Sequence, residues 1–178
     1  MNIFQLLTKK NIEILELIDR ESLHIRDISD RLNISPGSVH KLIKILRKED
    51  LISETKQKNR IIIKSKKENP IIIEIKRLIN LNKLLDSRAY KRLKTNGKIG
   101  IYGSFAQGKN DQESDLDLWV YTPKKEIELR PIFRDLEKEL SIRVNPLILT
   151  KSKIDTIKKN DNEFYLRLKL TSIGDSFD

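Results

Sequence analysis

Two carboxylates separated by a single residue could hold a metal ion in the second half of the chain. Asp115 and Asp117 flank the start of an apolar run, Leu116 to Tyr121, that predicts a β-strand. Residues i and i+2 of a strand point to the same face of a sheet, so both carboxylates can contact one cation. Mg²⁺ prefers oxygen ligands and keeps its remaining positions for water and phosphates. The pair therefore indicates chemistry on a nucleoside triphosphate.

A glycine and a serine follow an earlier predicted strand, Ile99 to Tyr102. Glycine allows the backbone to approach a ligand closely, and the hydroxyl of Ser104 can donate a hydrogen bond to a phosphate oxygen. The other interpretation is that Gly103 makes an ordinary turn and that Asp115 and Asp117 face solvent on an edge strand.

The order and spacing of these motifs point to one family. Gly103-Ser104-Phe105-Ala106-Gln107-Gly108, followed by Ser114-Asp115-Leu116-Asp117-Leu118, resembles the minimal nucleotidyltransferases of the polymerase β superfamily, from about Gly97 to the C-terminus. The resemblance implies a polymerase β-like fold in which Asp115 and Asp117 are catalytic and hold one or two Mg²⁺ at the reacting α-phosphate. An acceptor hydroxyl would displace pyrophosphate. The nucleotide-binding residues that the resemblance implies are Gly103, Ser104 and Ser114.

Two positions depart from the pattern of that family. Gln107 stands where relatives often carry arginine, so one positive charge near the phosphates is lost. Asn145, in the run Ile142 to Leu147, stands where active members usually present a third carboxylate. An amide takes no proton from an acceptor hydroxyl and adds no charge to hold a second Mg²⁺. Asp111 and Glu113 could substitute, although the sequence gives no geometric reason for it.

The first third of the chain shows three helical patterns followed by a hairpin pattern. Thr8 and Ser35 can cap the first and third helices, and Asn33 tolerates the left-handed conformation that ends the second. The predicted helices are Phe4 to Ile18, Ile25 to Leu32 and Pro36 to Leu46, and the predicted strands are Leu51 to Glu54 and Arg60 to Ile63, joined by the polar stretch Thr55 to Asn59.

This N-terminal arrangement, carried by Ile25 to Leu46 and Asp50-Leu51-Ile52, resembles the winged-helix regulators of bacteria and archaea. The third helix of such a domain enters the major groove, and the hairpin, or wing, lies along the phosphate backbone. The donors expected to contact DNA are Ser38, His40, Lys41, Lys44, Arg47, Lys48, Lys56, Lys58 and Arg60. The alternative is that these side chains form a solvated face or a protein contact surface.

A long linker helix is predicted between two domains. Asn69-Pro70 opens it, Asn96-Gly97 stops it, and its apolar stripe could pair two subunits in a homodimer. The predicted boundaries are residues 1–68 for the winged helix, 69–96 for the linker helix and 97–178 for the nucleotidyltransferase domain.

The nucleotidyltransferase domain is predicted to contain both strands and helices. The predicted strands are Ile99 to Tyr102, Leu116 to Tyr121 and Ile142 to Leu149. The predicted helices are Leu129 to Leu140 and a tail around Phe164 to Thr171, and Trp119 and Tyr102 are predicted core residues. The fold class is therefore α+β in two domains, with a mixed sheet in the second.

Charge and composition exclude several classes of protein. Lys and Arg total 36 against 26 Asp and Glu, and the net charge of +10 favours a polyanionic partner such as nucleic acid. The chain has no cysteine, which excludes disulfides, thiolate metal ligands and cysteine nucleophiles. No apolar run approaches the ~20 residues of a spanning helix, so we expect no membrane partner and a cytoplasmic protein. His24 and His40 have no metal-ligand neighbours at suitable spacing.

The sequence leaves the function open between an enzyme and a regulator. The enzyme would use Mg²⁺ to transfer a nucleoside monophosphate, AMP from ATP or the equivalent from another nucleoside triphosphate, to a hydroxyl of a protein or RNA. Such small transferases resemble antitoxin-like partners of HEPN-type ribonuclease toxins, so a toxin could be the protein acceptor. The regulator would bind DNA, and its transferase-like domain would bind nucleotide without turnover. A third hypothesis, ranked below these, takes the basic surface as a grip on an RNA substrate.

Overall fold

The computed structural model describes residues 7–58 and 60–177. Phe4, in the first predicted helix, and Asn59, in the predicted wing loop, lie outside the described residues. The chain divides into two compact units, Met1–Lys76 and Arg77–Asp178. None of the helices in the described ranges is long and apolar enough to cross a membrane.

The first unit has the three helices and the hairpin that the sequence predicts. A two-residue strand, β1, which the sequence analysis did not predict, precedes the second helix. The elements are α1 (Lys9–Arg20), β1 (Leu23–His24), α2 (Ile25–Leu32), α3 (Pro36–Lys48), β2 (Ile52–Gln57) and β3 (Arg60–Ser65). The three strands form an antiparallel sheet in the order β1-β3-β2. The unit is a winged helix.

Side-chain caps fix the helix ends of this unit as predicted. Thr8 accepts a hydrogen bond from the backbone N–H of Asn11 and caps the start of α1. Ser35 accepts from the N–H of Ser38 at the start of α3, and Asn33 ends α2 with φ 49° and ψ 50°. The wing differs from the prediction, because the polar residues from Thr55 to Gln57 pair with β3 and lengthen the hairpin.

A partly buried carboxylate joins distant segments of the first unit. Asp19, near the end of α1, accepts hydrogen bonds from the Ser65 hydroxyl at 2.9 Å and from Lys76 Nζ at 2.6 Å. Both charged side chains are less than one-fifth exposed. Breaking such a shielded pair leaves an uncompensated charge, so Asp19 fixes the end of β3 and the next helix against α1.

The single linker helix predicted over residues 69–96 is wrong, because the chain forms two helices there. α4 (Pro70–Asp86) passes from the first unit into the second, and α5 (Arg88–Lys94) follows after a break at Ser87. Ser87 caps α5 by accepting from the Tyr90 N–H, and its hydroxyl donates to Glu139 at 2.7 Å. The local bond from Tyr90 and the long-range bond to Glu139 together stabilise a new helix start inside a segment of continuous helical spacing. The hydrogen bond from the Ser87 hydroxyl also holds the pKa of the Glu139 carboxyl below its usual value.

The second unit is built on a four-stranded mixed sheet. Its further elements are β4 (Lys98–Ile101), α6 (Gly103–Gln107), β5 (Leu116–Tyr121), α7 (Glu126–Leu140), β6 (Val144–Leu149), α8 (Lys151–Asn160), α9 (Asn162–Thr171) and β7 (Ile173–Gly174). The strand order is β6-β5-β4-β7, with β5 parallel to β6 and the other pairs antiparallel. The predicted strands and the helical tail are confirmed, whereas α8 and β7 were not predicted.

Successive side chains of β5 point to opposite faces of the sheet, and both faces are buried. Leu116, Leu118 and Val120 pack into a core with residues of α5, α6 and α7. Trp119, which is fully buried as predicted, packs on the other face with residues of α8 and α9, and Tyr102 packs against the edge of that second cluster. The odd-numbered residues of β5, including Asp117, therefore lie on the face covered by α8 and α9.

A buried amide holds α6 and the loop that follows it. Asn80 of α4 is 6% exposed and donates to the Phe105 carbonyl at 3.1 Å and to Asn110 Oδ1 at 2.8 Å. Asn110 is itself buried. The two bonds fix the C-terminal end of α6, the helix that begins at Gly103.

Replacing Asn80 by alanine should destabilise the second unit by about 1–3 kcal/mol, because it leaves a buried carbonyl and a buried amide oxygen without their donor. Trp119 is the only tryptophan, so its fluorescence in a urea titration reports this unit. Asn82→Ala is the matched control, because Asn82 is exposed on the same helix and bonds only Asp86. Equal stability of the two variants would contradict the assigned role of Asn80.

Candidate functional site

The backbone at Gly103 lies close to the carboxylate of Asp117. Gly103 follows β4 and opens α6 with φ +68°, a left-handed conformation that side chains other than glycine rarely adopt. A Cβ at this position would collide with Asp117 Oδ2 and lie 3.2 Å from Asp117 Cγ. The backbone N–H of Tyr102 also donates to the Asp117 carbonyl at 3.0 Å. The structure therefore brings together Gly103 and Asp117, as the sequence motifs predict.

The two predicted metal ligands stand two residues apart on an extended segment. Asp117 is the second residue of β5, and Asp115 lies immediately before the strand begins. Both side chains are half-buried. Asp115 has Arg143 Nε at 3.9 Å, a loose pair in which the arginine is 87% exposed. Such an exposed pair contributes little to stability, so Asp115 stays available to a ligand.

Asn145, which stands where the family resemblance implies a third carboxylate, contacts Asp117. The parallel register pairs Asp117 of β5 with Asn145 of β6, and Asn145 Nδ2 donates to Asp117 Oδ1 at 2.8 Å. The amide thus occupies one carboxylate oxygen and supplies no third acid. Across residues 7–58 and 60–177, no group of three or more histidines and carboxylates could hold a metal ion.

Ser114, predicted to bind nucleotide, is engaged in its own loop. Its hydroxyl donates to Asp111 Oδ1 at 2.7 Å and accepts from the Asp111 N–H at 2.9 Å. Asp111 also accepts from the Glu113 N–H. The Ser114 hydrogen bond, followed by these backbone N–H groups, lowers the pKa of Asp111. Asp111 therefore serves as a turn-forming acceptor, and no described contact joins it or Glu113 to Asp117.

The predicted DNA-contacting residues are exposed on α3 and the wing. Two of them have partners within the first unit: Arg47 Nε donates to Glu54 of β2 at 3.0 Å, and the Ser38 and Ser35 hydroxyls are 2.9 Å apart. The Arg47 bond joins α3 to the wing. The exposed set is Ser38, His40, Lys41, Lys44, Arg47, Lys48, Lys56, Lys58 and Arg60.

Family models match both units of this structure. Residues 81–169 match the model described as nucleotidyltransferase domain, and residues 7–53 match winged helix-turn-helix DNA-binding. The chain belongs to the nucleotidyltransferase domain family. Its winged helix is a DNA-binding domain fused to that nucleotidyltransferase domain.

Similarities to whole proteins are more remote. NolR from Sinorhizobium fredii shares 13% identity over 47% of this chain and 79% of its own, with a TM-score of 0.41. Reduced HlyU from Vibrio cholerae N16961 shares 19% identity over 48% of this chain and 85% of its own, with a TM-score of 0.40. No curated protein matches the sequence.

The donor set of the nucleotidyltransferase domain suits one Mg²⁺. Asp115 and Asp117 offer carboxylate oxygens, which are the ligands that Mg²⁺ prefers, and Mg²⁺ sites with one or two carboxylates take their other ligands from water and phosphates. Asn145 points its amide N–H groups at the Asp117 carboxylate, so it adds no acidic ligand for a second ion.

Phe164 and Arg167, two side chains that pack near Tyr102, lie outside the sequence motifs. The rings of Tyr102 and Phe164 meet edge to face at 6.2 Å, and Arg167 Cζ lies 5.4 Å from the Phe164 ring centroid. Burial raises the pKa of the Tyr102 hydroxyl, Asp117 raises it further, and Arg167 partly opposes the shift. Phe164 and Arg167 belong to α9, which follows Asp117 by more than forty residues. Only the fold brings them to Tyr102.

Gly103→Ala should destabilise the nucleotidyltransferase domain by at least about 2 kcal/mol, from left-handed strain of about 1–2 kcal/mol and the collision with Asp117. Trp119 fluorescence during urea unfolding measures the change. Ser104→Ala is the control, because the Ser104 hydroxyl has no hydrogen-bond partner among the described residues, and its stability should stay within about 0.5 kcal/mol of the wild type. A Gly103→Ala variant as stable as Ser104→Ala would contradict this geometry.

Lys44→Gln and Lys58→Gln should each weaken duplex DNA binding and reduce the slope of log K against log salt by about 0.9, the value for one phosphate contact. Fluorescence anisotropy at several salt concentrations gives the slope. Lys10→Gln should leave it unchanged, because Lys10 is paired with Glu13 at 2.8 Å in α1. If the wild-type affinity does not depend on salt, the proposed DNA-contacting face is wrong.

Proposed function

We propose that this protein is a DNA-binding regulator whose nucleotidyltransferase domain binds a Mg²⁺-nucleoside triphosphate without turning it over. The observation that carries the proposal is the hydrogen bond from Asn145 Nδ2 to Asp117 Oδ1. It places an amide donor where transfer chemistry needs a proton acceptor, while leaving the rest of the nucleotide site in place.

Nucleotide binding rests on four residues. Asp115 and Asp117 would hold Mg²⁺, which would orient the triphosphate and reduce its negative charge. Gly103 gives the backbone the close approach that a phosphate needs, and the Ser104 hydroxyl, which has no partner among the described side chains, can donate to a phosphate oxygen.

The absence of turnover follows from proton transfer. An acceptor hydroxyl becomes an efficient nucleophile when a positioned base takes its proton in the transition state. The Asn145 amide cannot take that proton. The acids of the preceding loop do not replace it, because the described contacts of Asp111 tie it to Ser114 and to the loop backbone.

Regulation requires that nucleotide and DNA affinities be linked. If nucleotide changes the DNA affinity by some factor, DNA changes the nucleotide affinity by the same factor. The fusion of a winged helix to the nucleotidyltransferase domain supports such a link. It can be measured in either direction on the intact chain.

A transferase is the second candidate, because the Gly103–Asp117 contact and both aspartates are intact. It would move a nucleoside monophosphate, AMP from ATP in the simplest case, to a hydroxyl of RNA or of a protein such as a HEPN-type toxin. The test is incubation with Mg²⁺, α-labelled nucleoside triphosphates and cell extract. Label on an acceptor that disappears with Asp117→Asn would favour this candidate over the regulator.

Asp117→Asn should weaken Mg²⁺-ATP binding at least tenfold, because it removes a carboxylate ligand of the cation. Calorimetry with ATP, GTP, CTP and UTP in Mg²⁺ measures affinity and base preference, and saturating nucleotide should shift the DNA affinity of the wild type. Glu113→Gln is the control, since no described side-chain contact joins Glu113 to the site. Failure of the wild type to bind any of the four nucleotides would overturn the proposal.

A further inference from the structure

Arg167 presents a guanidinium group beside the candidate site. It is exposed on α9, its Cζ lies 5.4 Å from the Phe164 ring centroid, and among the described residues no carboxylate forms an ion pair with it. Stacking on an aromatic face holds an arginine in place while leaving its donors free to bind a ligand.

α9 places the ring on which this arginine stacks beside Tyr102, at the edge of the candidate site. Phe164 and Arg167 are three residues apart and share a helix face, whereas Tyr165 and Leu168 are buried against the sheet. The Phe164 ring meets Tyr102, the residue immediately before Gly103, at 6.2 Å. α9 also packs against α6, the helix that Gly103 opens.

The charges of the candidate site also favour a cation beside it. Asp115 and Asp117 are acidic, whereas Arg167 is a cation stacked on the ring that meets Tyr102, the residue before Gly103. A triphosphate that enters beside Asp115 and Asp117 adds several negative charges to a site that already carries two. Cations near that position lower the electrostatic cost of binding, and arginine pairs with phosphate oxygens through two parallel N–H groups.

We propose that Arg167, held by stacking on Phe164 beside Tyr102, binds the phosphate groups of the nucleotide. The inference rests on the proposed nucleotide binding and adds a phosphate-binding residue from a helix outside the sequence motifs. The contact selects for phosphate number, so ATP should depend on Arg167 more strongly than AMP does.

Arg167→Ala should raise the Kd for Mg²⁺-ATP by about tenfold or more and change the Kd for AMP by less than about twofold, because a charge-assisted contact to the outer phosphates is lost. Arg167→Lys keeps the positive charge but lacks the planar guanidinium group, so its Kd for Mg²⁺-ATP should lie between those of the wild type and Arg167→Ala. Lys169→Ala is the matched control, since Lys169 lies on the same helix near Trp119 and Ser172. Calorimetry with ATP, ADP and AMP measures all of these.

The outcomes separate the two proposals. Wild-type protein that binds none of these nucleotides removes the proposed function and this inference with it. If wild type binds ATP and Arg167→Ala binds it equally tightly, the inference alone is overturned. An equal loss for ATP and AMP also overturns it, because the contact would then lie on a part that both nucleotides share and not on the outer phosphates. Phe164→Leu keeps apolar volume but removes the ring. It should weaken ATP binding, by less than Arg167→Ala does. An unchanged ATP affinity in Phe164→Leu would contradict the stacking.

Discussion

The carboxylate of Asp117 is the point at which three segments of the nucleotidyltransferase domain meet. Its Oδ2 atom fills the space where a side chain at position 103 would lie, and its Oδ1 atom accepts from Asn145. Its carbonyl accepts from the N–H of Tyr102. Asp117 therefore determines how closely the Gly103 backbone approaches β5 and which side chain of β6 can lie beside its carboxylate. It also determines how much negative charge remains to bind a cation.

The rest of the domain keeps that carboxylate in place. Leu116 and Leu118 bury their side chains on one face of the sheet, and Trp119 does so on the other, so β5 cannot slide without exposing a core. The parallel pairing of Asp117 with Asn145 follows from this register. Asn80 fixes the far end of α6 through the Phe105 carbonyl.

Local signals made much of the fold predictable from the sequence. Thr8, Asn33 and Ser35 mark helix ends through short-range hydrogen bonds and backbone preference, and these ends appear as predicted. The break at Ser87 was missed because the cap depends partly on Glu139, which lies fifty-two residues away. β1 is too short to show a pattern, and α8 has no buried residue to give one.

The candidate site, like the fold, was predictable where short sequence motifs specify it. Gly103, Asp115 and Asp117 fall in motifs of fixed spacing, whereas Phe164 and Arg167 come near Tyr102 only through the packing of α9. The loop bonds of Ser114 and the Arg47–Glu54 pair also depend on three-dimensional proximity.

In the proposed function, the Asn145 amide beside Asp117 is the reason that bound nucleotide is not transferred. Pyrophosphate release from Mg²⁺-ATP, measured for the wild type in the presence of cell extract as a source of acceptors, tests that claim most directly. The account predicts release no faster than that of Asp117→Asn, from a wild type that calorimetry shows to be saturated with nucleotide. Release well above the Asp117→Asn rate would contradict it and would establish turnover despite Asn145.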